Sequence, residues 1–437
     1  MDQPSGPPSR VSSALPDRKS GIGSPGPGPV NPHRFGLLLA AGFVLLAITG
    51  IFIWSSRRRP SADQVNPPVE EARTDPRLRY EGPFRNIHPD VKYIGDTVCA
   101  SCHEDKAKTY RRHGMGRSLL PITEVVDVQR YDVGARNPFE AFQSRFLVDH
   151  RQDRVWHRQA HFDEHGRPAI SFDSEIHFAI GSGHHGYSYL TNREGYLFQT
   201  AISWYAQKQV WDTSPGFTGA LRLRPVIAEC LFCHSNRVEP VAHSLNRYRL
   251  PIFRGHAIGC ERCHGPGELH AETTRPEDIV NPNSTKKTQS GRSLHLPWQL
   301  REAVCEQCHL EGETRVQRRG RDLFDYRPGL PLHEFWDVFV PAQEPTGERP
   351  AVSHVEQMHS SRCFQSSPDE DKLGCVSCHD PHMHVGPEQR VVWYRQHCLE
   401  CHEKRYPGCS VPLAERRQKS AQDSCIDCHM PRMRLSL

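Results

Sequence analysis

Seven times in 437 residues a cysteine is followed three positions later by a second cysteine and then at once by a histidine. The units are Cys99, Cys102 and His103; Cys230, Cys233 and His234; Cys260, Cys263 and His264; Cys305, Cys308 and His309; Cys375, Cys378 and His379; Cys398, Cys401 and His402; and Cys425, Cys428 and His429. In this pattern two thiols form thioether bonds to haem and the next histidine binds its iron. Random placement of the chain's 16 cysteines and 27 histidines gives about 0.04 such units, so seven are no accident. Zinc ribbons also pair CxxC units, but they need no histidine after every second cysteine. Seven covalent haems c are therefore expected, and they use fourteen of the sixteen cysteines.

Each iron needs a sixth ligand or keeps that position open, and the choice separates electron carriage from catalysis. Twenty histidines lie outside the motifs and methionine is scarce, so His/His ligation and low reduction potentials are expected. His270 follows His264 across the Gly265-Pro266-Gly267 turn, which carries the chain away from its own haem and offers this imidazole to a neighbour. His382, beyond Pro381, is placed in the same way, with His384 as its competitor. His113 or Met115 after the first motif, His185 beside His184 in a glycine-rich turn, and His354 ahead of His359 are the other candidates. His150, His157, His161 and His165 read as surface residues. Cys363 and Cys409 remain, as a disulfide, as buried thiols or as a thiolate ligand.

The elements that must hold these groups have little core of their own. Hydrophobic residues make up 36% of the chain and its mean hydropathy is -0.65, low for this length. Porphyrin faces would supply the missing apolar surface. The formal charge of +4 does not indicate nucleic acid, because fourteen propionates and seven ferric cores would bring the balance to about -3. Covalent haem places the folded part in the periplasm, outside the cytoplasm.

In chain order, residues 1–34 are rich in Pro, Gly and Ser and read as a disordered cytoplasmic tail. Residues 35–54 are twenty uncharged, mostly apolar residues, read as an uncleaved transmembrane anchor in the inner membrane. A linker at 55–90 and a first haem segment at 91–124 follow. Residues 125–225 read as a β-rich insert. Short alternation marks Phe146 to His150, Arg154 to Ala160 and Ala169 to Phe172, and a hairpin is expected across Thr191 to Glu194. The insert's frequent Tyr and Trp residues read as ordinary β core. Residues 226–437 carry six motifs whose first cysteines lie 30, 45, 70, 23 and 27 residues apart, leaving little protein between neighbouring haems.

The stretches GDTVCASCH, GCERCHGPGELH, GCVSCHDPH and CIDCHMP make residues 91–437 resemble a group of periplasmic multihaem c-type cytochromes. That group includes the tetrahaem electron acceptor of hydroxylamine oxidoreductase. The resemblance implies a largely α-helical haem scaffold, mostly bis-histidine haems, electron transfer, and distal ligation by His270 and His382. Seven motifs instead of four, the insert and the anchor depart from the tetrahaem pattern.

The expected architecture is a mainly α multihaem scaffold with extensive loops, a β-rich insert and one N-terminal transmembrane helix. The expected function is electron transfer between redox protein partners, a quinol-oxidising membrane module or soluble cytochromes. The alternative is an oxidoreductase of a small nitrogen or sulfur compound with one five-coordinate haem. All seven motifs end in histidine instead of the lysine that marks the catalytic haem of cytochrome nitrite reductases, which favours carriage.

Overall fold

The computed structural model describes residues 75–220, 222–340, 353–404 and 408–430. Ten strands precede the second motif. They are β1 (Leu119–Pro121), β2 (Phe139–Ala141), β3 (Ser144–Arg151), β4 (Arg154–Phe162), β5 (Pro168–Ile176), β6 (Phe178–Ile180), β7 (Tyr187–Arg193), β8 (Tyr196–Tyr205), β9 (Val210–Thr213) and β10 (Arg224–Pro225). They form two antiparallel sheets, one in the order β2-β3-β4-β5 and one in the order β1-β6-β7-β8-β10 with β9 also on β8. A smaller pair, β11 (Thr314–Gln317) and β12 (Trp336–Phe339), lies further on.

Local chemistry explains the hairpins. In β3 the buried Phe146 and Val148 alternate with the exposed Arg145 and half-buried Leu147, the period that puts one face of a strand inward. Between β7 and β8, Glu194 and Gly195 both have positive φ (51° and 89°), as a two-residue turn matched to strand twist requires.

The two sheets pack face to face through Phe146, Val148, Val155 and Ile176 on one side and Tyr187, Tyr189, Ile202, Trp204 and Trp211 on the other, all buried. The insert's aromatics are therefore mainly core, although Tyr196 is exposed. β7 and β8 contribute Leu190 and Leu197 to a second cluster with Leu231 and Phe232 of the second motif, so this sheet is covered on both faces.

Three expectations are corrected. The protein is not mainly α, because three sheets share the described residues with short helices. The expected inner-membrane anchor is not supported: no helix among the described residues is long and apolar enough to cross a membrane. The apolar stretch 35–54, with the tail before it, lies outside the described residues. His157 is not a surface residue: it is 3% exposed, on β4.

Its imidazole packs edge-on against Tyr189 and Trp211, and Nδ1 lies 2.9 Å from Thr200 Oγ1. Burial depresses its pKa to about 3, so the folded protein holds this ring neutral. Its contribution to stability is complete above the unfolded value of about 6.5 and is lost as pH falls from there towards 3, at about 1.4 kcal/mol per unit. Circular dichroism in urea between pH 7 and 4 should show this decline, and His157→Phe should flatten it. An equal slope in the variant would refute the assignment.

Candidate haem-binding site

Six of the seven motifs end short α-helices or the longer ones at Trp298–His309 and Pro387–His402; the fifth forms a 3-10 turn at Cys375–Ser377. One helical turn brings both cysteines of a motif to one side. The polypeptide leaves the motif histidines uncovered, all exposed except the half-buried His264. That is the condition axial ligation needs.

Three motif imidazoles face a second imidazole from elsewhere in the chain. His103 and His270 have ring centroids 6.4 Å apart with planes 11° from parallel. His264 and His382 are 5.9 Å apart at 18°. His309 and His354 are 5.6 Å apart at 86°. An iron held between two Nε2 atoms at ordinary metal–nitrogen distances of about 2 Å separates ring centroids by about 6 Å, so each pair fits one haem iron.

Hydrogen bonds set the tautomer of several rings. His264 Nδ1 lies 2.8 Å from the Val280 carbonyl and His270 Nδ1 lies 2.9 Å from the Arg275 carbonyl. A carbonyl can only accept, so Nδ1 carries the proton and Nε2 keeps its lone pair for a metal. His113 is oriented the other way. Its Nδ1 accepts the Met115 amide at 3.2 Å while its ring stacks on Tyr110, which puts the proton of the neutral ring on Nε2. Burial and the nearby His384, His379 and His382 imidazoles push its pKa down.

His185 Nδ1 lies 2.9 Å from the Gln207 amide nitrogen and its ring meets only His184 among the described ring contacts. His379 Nδ1 lies 3.3 Å from the Tyr394 hydroxyl, and His397 is among the groups that lower its pKa, after burial and His354. Tyr394 and His397 are three apart on the helix that carries the sixth motif, a spacing that places both on one side. Cys363 and Cys409 are exposed and unbridged.

Motifs also touch one another. Thiols of different motifs lie near one another, Cys99 by Cys260, Cys233 by Cys308, Cys305 by Cys375 and Cys398 by Cys425. Cys263 lies within electrostatic range of Cys305 and Cys308, as does Cys401 of Cys378. All seven motifs thus join one contiguous series, with the fourth adjoining the second, third and fifth.

The residues that lock this series were not identified by sequence reasoning. Asp96, three residues before Cys99, accepts the Cys260 amide at 2.8 Å; Glu302, three before Cys305, accepts the Cys375 amide at 2.9 Å. The same device therefore docks the first motif to the third and the fourth to the fifth. Between the cysteines of the third motif, Arg262 donates to the Phe232 carbonyl at 2.8 Å and lies 4.2 Å from that ring's centroid, while its own carbonyl accepts from Gln307 at 3.0 Å. Second, third and fourth motifs interlock through these side chains. An acid three residues before a motif was the available sequence signal; the partner of Arg262 had none.

Glu261, 3% exposed, accepts the amides of Ile94 (2.9 Å), Gly95 (2.8 Å) and Gly267 (2.8 Å). It ties the third motif to the approach of the first and to the turn before His270. Burial raises its pKa and the three bonds oppose that rise. Arg327, also buried, donates to the carbonyls of Asn86, His88, Pro89 and Val91, which fixes the same approach.

No protein-family profile matches the chain. It is 22% identical over 209 residues to the multiheme cytochrome MtrA of Shewanella baltica (strain OS185), an alignment of 46% of this chain and 51% of that protein. The chain therefore spans about half the length of that relative. Two solved structures were also matched. The outer cell wall cytochrome OcwA has a TM-score of 0.44 and 17% identity, over 71% of this chain and 67% of that one. The undecaheme cytochrome from the S-layer of Carboxydothermus ferrireducens has a TM-score of 0.37 and 14% identity, over 72% and 44%. All three proteins are cytochromes by description, and MtrA is a multiheme one.

Replacing Glu261 with Ala leaves the buried Gly267 amide and the part-buried Ile94 and Gly95 amides without their acceptor and should cost about 2 kcal/mol. Glu261→Gln, which keeps an acceptor oxygen, should cost less. The urea midpoint of the haem-loaded protein reads both, and an unchanged midpoint in Glu261→Ala would show that the three bonds are replaced by water.

Proposed function

We propose that the chain is a heptahaem c-type cytochrome that carries electrons along its contiguous motif series between redox protein partners. The observation that carries this reading is the contact of every motif with at least one other. Seven redox centres in one series form a path, whereas isolated centres would not. The finer kinship with the tetrahaem acceptor group rests on the shared motif stretches alone.

When bound, each haem supplies an iron that cycles between ferric and ferrous states. The chain's residues have separate tasks. Fourteen motif cysteines fix the porphyrins and seven motif histidines bind iron proximally. His270, His382 and His354 would hold the irons together with His103, His264 and His309. Hydrogen bonds from Nδ1 of His264 and His270 hold their ring planes and make Nε2 the more basic donor. Imidazole on both sides of the iron favours the low potentials expected above, because methionine ligation is the choice that raises them.

His379 has a different environment, with Tyr394, His397 and His113 around it. The lone pair of His113 Nδ1 is taken by the Met115 amide, so this ring serves as a ligand only after it turns.

Intact mass of the haem-loaded protein should give seven haems, and six after Cys425→Ala with Cys428→Ala. Fewer than seven in the parent chain would overturn the count. In the oxidised optical spectrum low-spin haem should dominate, and His270→Ala should convert one haem to high-spin. An unchanged spectrum in that variant would remove His270 as a ligand.

A further inference from the structure

The three imidazole pairs are not equivalent. In the His103–His270 and His264–His382 pairs the ring planes lie within 11° and 18° of parallel, whereas in the His309–His354 pair they are crossed at 86°. Different supports produce the difference. On the near-parallel side, ring planes are pinned by Nδ1 bonds to the Val280 and Arg275 carbonyls, and His382 Nδ1 lies 3.4 Å from Asp380 Oδ1.

The crossed pair is held by the packing of two helices. His309 ends the helix Trp298–His309, and His354 opens the helix His354–His359 directly after the N-cap Ser353. That start is fixed by a capping box in which Glu356 accepts from the Ser353 amide at 2.9 Å and from its hydroxyl at 2.6 Å. The next side chain, Val355, is 1% exposed and anchors the turn in the core. His354 therefore enters from a rigid helix start, with its ring direction set by that helix and not by the partner imidazole.

We propose that the haem bound through Cys305 and Cys308 has crossed axial imidazoles and is thereby electronically distinct from the haems of the first and third motifs. This rests on the ligand assignment made under Proposed function. The reasoning is general coordination chemistry. Each axial imidazole donates π density to the iron orbital perpendicular to its own plane. Parallel rings act on the same orbital, separate the two iron π orbitals in energy and give a rhombic low-spin ferric signal. Crossed rings act on one orbital each, leave the two nearly degenerate and give a single broad signal at much lower field.

The position of this haem gives the difference a consequence. Arg315 bridges Cys233 and the Gln307 carbonyl, Gln307 donates to the Arg262 carbonyl, and Glu302 accepts the Cys375 amide, so the fourth motif is bonded to the second, third and fifth. The distinct haem is thus the junction of the series, where a path from the second motif meets the path joining the third to the fifth. A separate signal at this point reports the redox state of the junction alone.

The test is low-temperature electron paramagnetic resonance of the oxidised, haem-loaded full chain, alongside its His354→Ala and His382→Ala variants. The parent protein should show a broad low-field signal beside rhombic ones. His354→Ala should lose one haem-equivalent of the low-field signal and gain one high-spin haem. His382→Ala should lose one haem-equivalent of a rhombic signal and keep the low-field signal intact. If His354→Ala gains a high-spin haem at the expense of a rhombic signal, the ligand assignment stands and the crossed geometry is overturned. If neither variant gains a high-spin haem, the ligand assignment itself fails, and the proposal with it. Should His354→Ala not accumulate, His354→Met keeps a sixth ligand and must still remove one haem-equivalent of the low-field signal. Retention of that signal in His354→Met refutes the proposal.

Discussion

A shortage of apolar core governs this protein. After Val355 no hydrophobic side chain among the described residues is buried, yet this part of the chain carries three of the seven motifs. The helices at Pro387–His402, Leu413–Lys419 and Cys425–His429 contain no buried residue at all. Fixing each residue costs about 1–2 kcal/mol of backbone entropy, and polypeptide contacts of this kind do not offset it. Covalently bound porphyrins are the apolar surface that would, with two thioether bonds anchoring each one to its helix. Haem attachment and folding would then be coupled in this part of the chain.

The same constraint explains where the polar side chains lie. Motifs that must sit close cannot be glued by large hydrophobic residues, because the porphyrins would fill that space. They are docked by short, directional bonds at the helix ends. Asp96 and Glu302 each reach the first-cysteine amide of another motif, and Arg262 spans two neighbours. A buried carboxylate or guanidinium is costly unless bonded, and the buried Glu302 and Arg262 each have a backbone partner in another motif, whereas Asp96 stays exposed. Imidazoles from distant segments act over a longer range. Residues after the third motif face the first, and residues after the fifth face the third.

Much of this was legible in the sequence because spacing carries it. The motifs fix their own helices, and the alternation around Phe146 marks a strand. What was not legible depends on partners far away in the chain. Nothing local distinguishes His157 from His161 on the same strand; only the packing of Tyr189 and Trp211 against it shows that it is buried. The mainly α expectation failed because it was drawn from the haem-bearing helices, while the strands from Leu119 to Pro225 build two full sheets. His113 was a sound candidate by position, and the bond from the Met115 amide turns its lone pair elsewhere.

The β sandwich differs from the part of the chain after Val355 in how it is stabilised. It has a core of its own, with Trp204, Trp211, Tyr189 and Phe146 buried, so its sheets do not depend on porphyrin faces. A depression of about 190 Å3 on it is lined by Leu147, Asp149, Arg151, Trp156, Arg158 and Asp173, all from β3, β4 and β5. None of these six residues belongs to a motif. Its other sheet does meet a motif: Leu190 and Leu197 pack with Leu231 and Phe232, and Ser118 donates to the His234 carbonyl at 2.9 Å. The second motif therefore rests on a surface that polypeptide alone can form. In a chain whose last three motifs have no such support, the sandwich supplies a preformed wall for one haem site, and the nearness of Cys233 to Cys308 extends the order of that wall to the junction of the series.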